Sequence, residues 1–150
     1  MYKKIISRMN VYGFAVFMCL VLPYSVTAGS FDGSANLLCA PQTVIECGPG
    51  GECAQATPAS VNLPNFFQID FAKKMISAIP VTENSRKSRI KNIEQLAGKL
   101  ILQGAGNETK KNKEGLGWSM AISENTGSIV MSAAGDQEAF VIFGACTQLP

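Results

Sequence analysis

The sequence predicts an all-β protein, either a small antiparallel up-and-down barrel or a barrel-like sandwich, with about eight strands. Short apolar runs recur at nearly regular spacing between turn-forming residues. Several runs alternate apolar and polar residues, as half-buried strands do. Beyond the first 28 residues, no window keeps a convincing helical period. Because long exposed strand edges promote aggregation, we expect the sheet to close or to fold into two layers.

The predicted strands follow one another from residue 36 to residue 146. They are Asn36–Cys47, Phe66–Phe71, Met75–Ile79, Arg89–Ile93, Lys99–Gln103, Trp118–Ser123, Ser128–Ala133 and Ala139–Cys146. Alternation is clearest where Trp118, Met120 and Ile122 share one face of a strand. We expect large apolar residues to fill the interior, namely Trp118, Phe67, Ile69, Phe71, Leu100, Leu102, Phe140 and Ile142.

Turn-forming residues connect these strands as a meander. Ala97 and Gly98 have the length of a two-residue hairpin loop, although Ala is a poorer first residue there than Asn or Asp. Two further hairpins align without a gap and place Lys74 and Gly127 where a left-handed residue is required. Residues 103–117 read as one long polar loop.

The cysteines predict two disulfide bonds. Of the five, Cys19 lies in the N-terminal leader, which leaves an even number and three possible pairings. An extended chain would separate Cys39 and Cys47 by about 26 Å, so that pairing is disfavoured unless the chain turns at Pro41. The glycines and proline between Cys47 and Cys53 let those two meet. Cys39 is then left for Cys146, which would join the first strand to the last.

Other functions for the stretch C-G-P-G-G-E-C, residues 47–53, fit poorly. Redox pairs of the thioredoxin type use two intervening residues rather than five. Zinc sites usually combine Cys or His pairs two to four residues apart, and the chain has no histidine. A phosphate loop would be followed by Lys-Ser or Lys-Thr and would open a helix. We therefore interpret this stretch as a covalent staple and expect no metal or cofactor.

The N-terminus has the layout of a secretory signal. Lys3, Lys4 and Arg8 precede an uncharged apolar stretch at residues 11–22, which is shorter than the roughly 20 residues of a spanning helix. Small residues at the following positions predict a cut between Ala28 and Gly29. We expect a signal helix at residues 1–28, one β-rich domain at residues 29–150, and export to the periplasm or the medium. Membrane contact is expected only through the cleaved signal.

Removal of the leader changes the charge of the chain. Losing three basic residues leaves ten against eleven acidic ones, a formal net charge of −1 instead of +2. The remaining basic runs are at residues 86–91 and 110–113, and no aromatic residue lies among them to stack on a base. We interpret both runs as solvated loops or strand edges and expect no nucleic-acid partner.

The candidate catalytic residues are few. Without histidine, Ser-His-Asp and Cys-His arrangements are excluded. Asp136 and Glu138 form a possible carboxylate pair, but they follow Gly135 in a turn signal, where acids usually face water. We therefore assign no catalytic residue.

Several stretches resemble a group of short, uncharacterised secreted proteins of Proteobacteria. They are C-G-P-G-G-E-C, N-L-P-N-F-F-Q-I-D-F, L-I-L-Q-G, G-W-S-M-A-I-S and A-A-G-D-Q-E-A-F-V-I-F-G-A-C, between about Leu37 and Cys146. The resemblance implies a signal peptide and a β-rich domain, without an activity or functional residues to transfer.

The sequence as a whole predicts a monomeric, exported binding module that is not an enzyme. Its ligand would be a protein or a small apolar molecule, held at a barrel mouth or by the loop at residues 103–117. One alternative is a weak hydrolase that uses Asp136 and Glu138 or a lone serine, and another is a structural or stress-related envelope protein.

Overall fold

A computed structural model describes residues 30–80, 86–106 and 115–150. The expected signal helix and the cut between Ala28 and Gly29 lie outside these residues. The described part is all-β, with nine strands and no helix. They are β1 (Leu37–Cys47), β2 (Cys53–Ala56), β3 (Phe66–Asp70), β4 (Met75–Ile79), β5 (Lys87–Leu96), β6 (Lys99–Gly106), β7 (Gly117–Ser123), β8 (Ser128–Ala134) and β9 (Ala139–Gln148).

Eight of these strands form a closed antiparallel barrel. Strands β3 to β9 pair in chain order, and β1 lies between β3 and β9. The β1–β9 pairing runs from Leu37 opposite Gln148 to Cys47 opposite Ala139. This arrangement confirms the barrel and the strand number, and it selects the barrel over the sandwich.

Strand β2 is the addition that the sequence did not predict. It pairs with the second half of β1, from Val44 opposite Ala56 to Cys47 opposite Cys53. On that edge of β1, β3 covers only Leu37–Cys39, so β2 pairs where β3 does not reach. Its sequence C-A-Q-A has no β-branched or aromatic residue, which explains why strand propensity gave no signal.

The barrel interior is filled by apolar side chains. Of the predicted interior residues, Phe71 and Phe140 are half-buried and pack against the core, and the other six are buried. The core also contains residues that the prediction had not named, among them Leu37, Ile90 and Ile129. The alternation of Trp118, Met120 and Ile122 is confirmed, because these three are buried while their strand neighbours are not.

Two β-bulges bend the wall, and each lies opposite a glycine. The β1 bulge falls between Pro41 and Thr43, and a Cβ on Gly144 would lie 3.1 Å from the carbonyl carbon of Ala40 and overlap its oxygen. The β5 bulge falls at Lys91, and Gly104 lies opposite the residue before it. Bulges increase local bend and twist, so strands this long can close a narrow barrel.

The chain segment at residues 30–36 covers one end of the barrel. The amide of Phe31 donates to the carbonyl of Glu124 at 3.1 Å, and Nε2 of Gln95 donates to the carbonyl of Asp32 at 2.8 Å. The Phe31 ring packs against the core. This end is therefore sealed by the residues that directly precede β1.

The predicted turn residues are confirmed by their backbone angles. Ala97 and Gly98 have φ of 50° and 73°, as a two-residue hairpin with two left-handed positions requires. Lys74 and Gly127 have φ of 50° and 69°. The predicted loop at residues 103–117 is wrong at its ends, because β6 continues to Gly106 and β7 begins at Gly117; residues 107–114 lie outside the described part.

Candidate functional site

The two predicted disulfide bonds are both present, and each joins residues directly opposite in an antiparallel pair. Cys39 and Cys146 face each other across β1 and β9, with Cα atoms 4.0 Å apart. Cys47 and Cys53 face each other across β1 and β2, with Cα atoms 4.1 Å apart. The first bond fixes the pairing that closes the barrel. Both are consistent with an oxidising, exported environment.

The loop between Cys47 and Cys53 packs tightly around the side chain of Glu52. The amide of Gly48 donates to the carbonyl of Glu52 at 2.9 Å. Cβ atoms on Gly48 and Gly50 would overlap the carboxylate of Glu52, so the side chain lies across a surface that only glycines leave open. The glycines of this loop are therefore explained by the tight turn that ends the β1–β2 hairpin.

Asp136 and Glu138 lie in the turn between β8 and β9. Both are exposed, and the amide of Gly135 donates to the carbonyl of Glu138 at 2.9 Å to close the turn. This is the solvated turn that the sequence favoured over a catalytic pair. Among the described residues, no group of three or more His, Cys, Asp or Glu side chains is arranged to hold a metal ion.

Trp118 organises the interior near the opposite end of the barrel from residues 30–36. Its indole Nε1 donates to Oγ of Ser88 at 2.7 Å, and that hydroxyl donates to the carbonyl of Ala105 at 2.8 Å. The ring lies against Gly104, where a Cβ would be 2.8 Å from indole Cε2. The indole thus occupies space that a ligand at a barrel mouth would need.

The most distinctive surface is the outward side of strands β7, β8, β9 and β1. Strand alternation points one set of side chains away from the core, and none of them is charged. We call this set the uncharged face. It comprises Leu38, Ala40, Thr43, Ile45 and Cys47 of β1, Gly117, Ser119, Ala121 and Ser123 of β7, Ser128, Val130, Ser132 and Ala134 of β8, and Ala139, Val141, Phe143, Ala145 and Thr147 of β9.

An apolar ridge crosses the uncharged face. Val130 lies directly opposite Phe143 across β8 and β9, and their exposed fractions are 45% and 43%. Ala121 pairs with Val130 on one side, and Thr43 pairs with Phe143 on the other. The register therefore brings together one row of side chains from four strands.

Shallow depressions flank this ridge. One, of about 360 Å³, is bounded by small outward residues such as Gly117, Ser132 and Ala139. The other, of about 230 Å³, lies near Leu38 and the exposed Phe66 on β3. Both depressions are lined mainly by outward-pointing side chains of neighbouring strands, so both lie on the outer wall of the barrel.

The electrostatics of the described residues are those of a solvated surface. An ion pair joins Lys73 and Asp70 at 2.8 Å, and its hydrogen bond lowers the pKa of Asp70 and raises the pKa of Lys73. Hydrogen bonds from Ser34 lower the pKa of Asp32. No charged side chain is buried among the described residues.

The comparisons with known proteins leave the site to be judged on its geometry. No protein-family model, no curated protein and no solved structure matches the chain. Within the described ranges, no helix has both the length and the hydropathy to cross a membrane.

Sequence reasoning missed the uncharged face because its members are individually ordinary. Single outward Ser and Ala residues look like the wet side of a strand. Only the register across four strands shows that the acids and lysines are absent from the whole surface.

Proposed function

We propose that the protein is an exported, non-enzymatic binding module that recognises a protein through the uncharged face. The paired exposure of Val130 and Phe143 on a surface without charges carries this proposal. The centres of protein interfaces are depleted of charged residues and enriched in aromatic ones. Exposed sheet surfaces of monomers usually carry charges that discourage association.

The structure supports a protein ligand better than a small apolar one. A small ligand would need an enclosed cavity that buries most of its surface. Here side chains fill the barrel, and the depressions beside Val130 and Phe143 are shallow. A shallow relief with one protruding ridge suits a broad, complementary protein surface.

The dimensions of the face indicate a modest interface. Four strands and about seven residues per strand span about 20 Å by 24 Å, or on the order of 500 Å². A partner covering this area would bury on the order of 1,000 Å² in total, at the low end of specific complexes. We therefore propose a transient complex of an exported monomer in the periplasm or the medium.

Site-specific photo-crosslinking tests the proposal. The crosslinking residue is placed at Ser132, which is exposed beside the ridge, and in a second version at the exposed Asn92 on β5, which β6 separates from the face. We expect a protein adduct in the envelope or culture fluid from position 132 and none from position 92. The substitutions Val130→Asp and Phe143→Asp should each abolish that adduct, because they place a charge at the centre of the interface.

The controls separate loss of binding from loss of fold. Asn92→Asp adds the same charge outside the face and should leave the adduct intact. Both face variants change exposed positions, so we expect their unfolding free energies to stay within about 0.5 kcal/mol of the wild type. Adducts that survive both face substitutions, or that form equally from position 92, would contradict the proposal.

A further inference from the structure

Basic residues are concentrated on one side of the barrel, away from the uncharged face. The described residues contain seven Lys and Arg side chains, and five lie on or beside the β5–β6 hairpin, at Arg86, Lys87, Arg89, Lys91 and Lys99. The other two, Lys73 and Lys74, are in the adjacent β3–β4 turn. Of the eight acidic residues in the same ranges, the hairpin contains one, Glu94. A domain with almost no net charge thus has one strongly cationic side.

The strand geometry aligns these cations. Lys87 and Arg89 are two residues apart and point outward about 7 Å from each other. At Lys91 the β5 bulge inserts an extra residue, and Lys91 is exposed. The outward neighbours of Arg89 are Met75 on β4 and Ala105 on β6, which carry no charge.

No acidic side chain of the described residues forms an ion pair with the cations on this hairpin. In the part of the chain that the structure describes, the one ion pair is between Lys73 and Asp70. Arg86 donates to the carbonyl of Asn62 at 2.7 Å, which neutralises no charge. Unpaired like charges held side by side repel one another, so an external anion would stabilise the arrangement.

The same outward side of the hairpin carries a highly exposed aliphatic residue. Leu96 has an exposed fraction of 69%, the largest among the exposed large hydrophobic side chains of the described chain. It lies directly opposite Lys99 at the hairpin tip. Glu94 is the one opposing charge, two residues from Leu96 on the same strand.

We propose that the outward side of the β5–β6 hairpin docks on an anionic lipid surface. A lipid surface offers both requirements at once, because its headgroups pair with the cations and its apolar layer receives Leu96. A soluble polyanion would explain the cations and leave the exposed leucine without a role. This inference departs from the sequence-based expectation of membrane contact only through the cleaved signal. It concerns a different side of the barrel from the uncharged face and does not depend on the proposed protein partner.

Vesicle sedimentation with the protein recovered after export tests this inference. Vesicles with about one-third anionic phospholipid should bind the protein, and zwitterionic vesicles should not. Each cation near the surface strengthens binding about fivefold, so Lys87→Gln, Arg89→Gln and Lys91→Gln together should weaken it about 100-fold. Leu96→Ser should weaken it about tenfold, because the aliphatic burial is lost.

A matched variant controls for total charge. Gln42→Glu, Gln55→Glu and Gln137→Glu together change the net charge by the same amount at exposed positions outside the hairpin. We expect this variant to bind nearly as well as the wild type, which would assign the effect to the hairpin. Equal losses in the two triple variants would overturn the assignment.

Two further results would overturn the lipid partner. One is binding to zwitterionic vesicles that equals binding to anionic ones. The other is a pair of observations: the protein binds dextran sulfate as tightly as it binds anionic vesicles, and the Leu96→Ser variant binds the vesicles as well as the wild type does. Together these would assign the cations to a soluble polyanion instead.

Discussion

Gly104 is the position where one added methyl group should damage the barrel most. The residue lies on β6, between the carbonyl of Arg89 on β5 and the indole ring of Trp118 on β7. An Ala Cβ would be 2.8 Å from indole Cε2 and closer still to the carbonyl oxygen of Arg89. The carbonyl belongs to a strand held on both sides, so the ring must move, and it is tied to Ser88 by a 2.7 Å hydrogen bond.

The expected cost of Gly104→Ala follows from these contacts. Overpacking of this kind costs about 1–3 kcal/mol, and disturbing the Trp118–Ser88 hydrogen bond costs about 1 kcal/mol. The lower chain entropy of Ala in the unfolded state returns about 0.4–1 kcal/mol. We therefore expect the unfolding free energy to fall by about 2–3 kcal/mol and Tm to fall by about 10 °C.

Urea unfolding followed by tryptophan fluorescence measures this loss of unfolding free energy. Trp118 is the sole tryptophan of the chain, so its emission reports the contact directly. The matched control is Gly117→Ala, since a Cβ on Gly117 has no atom within 4 Å. We expect the control to stay within about 0.5 kcal/mol of the wild type.

A double-mutant cycle tests whether the indole is the obstacle. In a Trp118→Phe background, followed by circular dichroism, Gly104→Ala should cost at least about 1 kcal/mol less, because the smaller ring leaves room. A Gly104→Ala protein with wild-type stability and unchanged emission would refute the packing argument. An equal cost in both backgrounds would place the strain at the Arg89 carbonyl alone.

Two further predictions concern the covalent and ionic contacts of the barrel. Replacing Cys39 and Cys146 by Ala should lower the unfolding free energy by about 5 kcal/mol. The Ala variant of Cys47 and Cys53 should lose only about 2 kcal/mol, because that disulfide closes a much shorter loop. Equal losses in non-reducing urea titrations would contradict this. Because folding lowers the pKa of Asp70 from its ordinary 3.8, its ion pair stabilises the protein above that value and loses this effect as pH falls through the folded pKa. Asp70→Asn should therefore be slightly less stable than the wild type at neutral pH and indistinguishable from it in strong acid, and a difference that persists in acid would argue against the pair.

The features that sequence reasoning predicted are those fixed by local chemistry. Glycines and a proline between Cys47 and Cys53 limit that segment to a turn, and the remaining cysteines then have one pairing left. The left-handed turn positions at Lys74 and Gly127 follow from hairpin length. Each prediction needed a window of a few residues, or a process of elimination over four cysteines.

The features that it missed depend on register between distant strands. β2 exists because β3 stops pairing with β1 after Cys39, which no property of C-A-Q-A reveals. Gly144 and Gly104 are required by backbones that approach them from other strands. The basic run at residues 86–91 read as a solvated edge, and only the strand's alternation and bulge show how its cations are arranged.

The closure of the barrel also supports the proposal that the uncharged face binds a protein partner. The face is centred on the β1–β9 and β8–β9 pairings, the first of which extends over the full length of β1 and is crossed by the Cys39–Cys146 bond. Residues held in this way lose little conformational freedom when a partner binds, so more of the contact energy appears as affinity. On the other side of the barrel, eight residue pairs hold β5 to β6, but only three, from Met75 to Ser77, hold β5 to β4. The proposed anionic surface would tolerate this weaker edge, because its headgroups can rearrange around the cations, whereas the proposed protein partner would require a fixed surface.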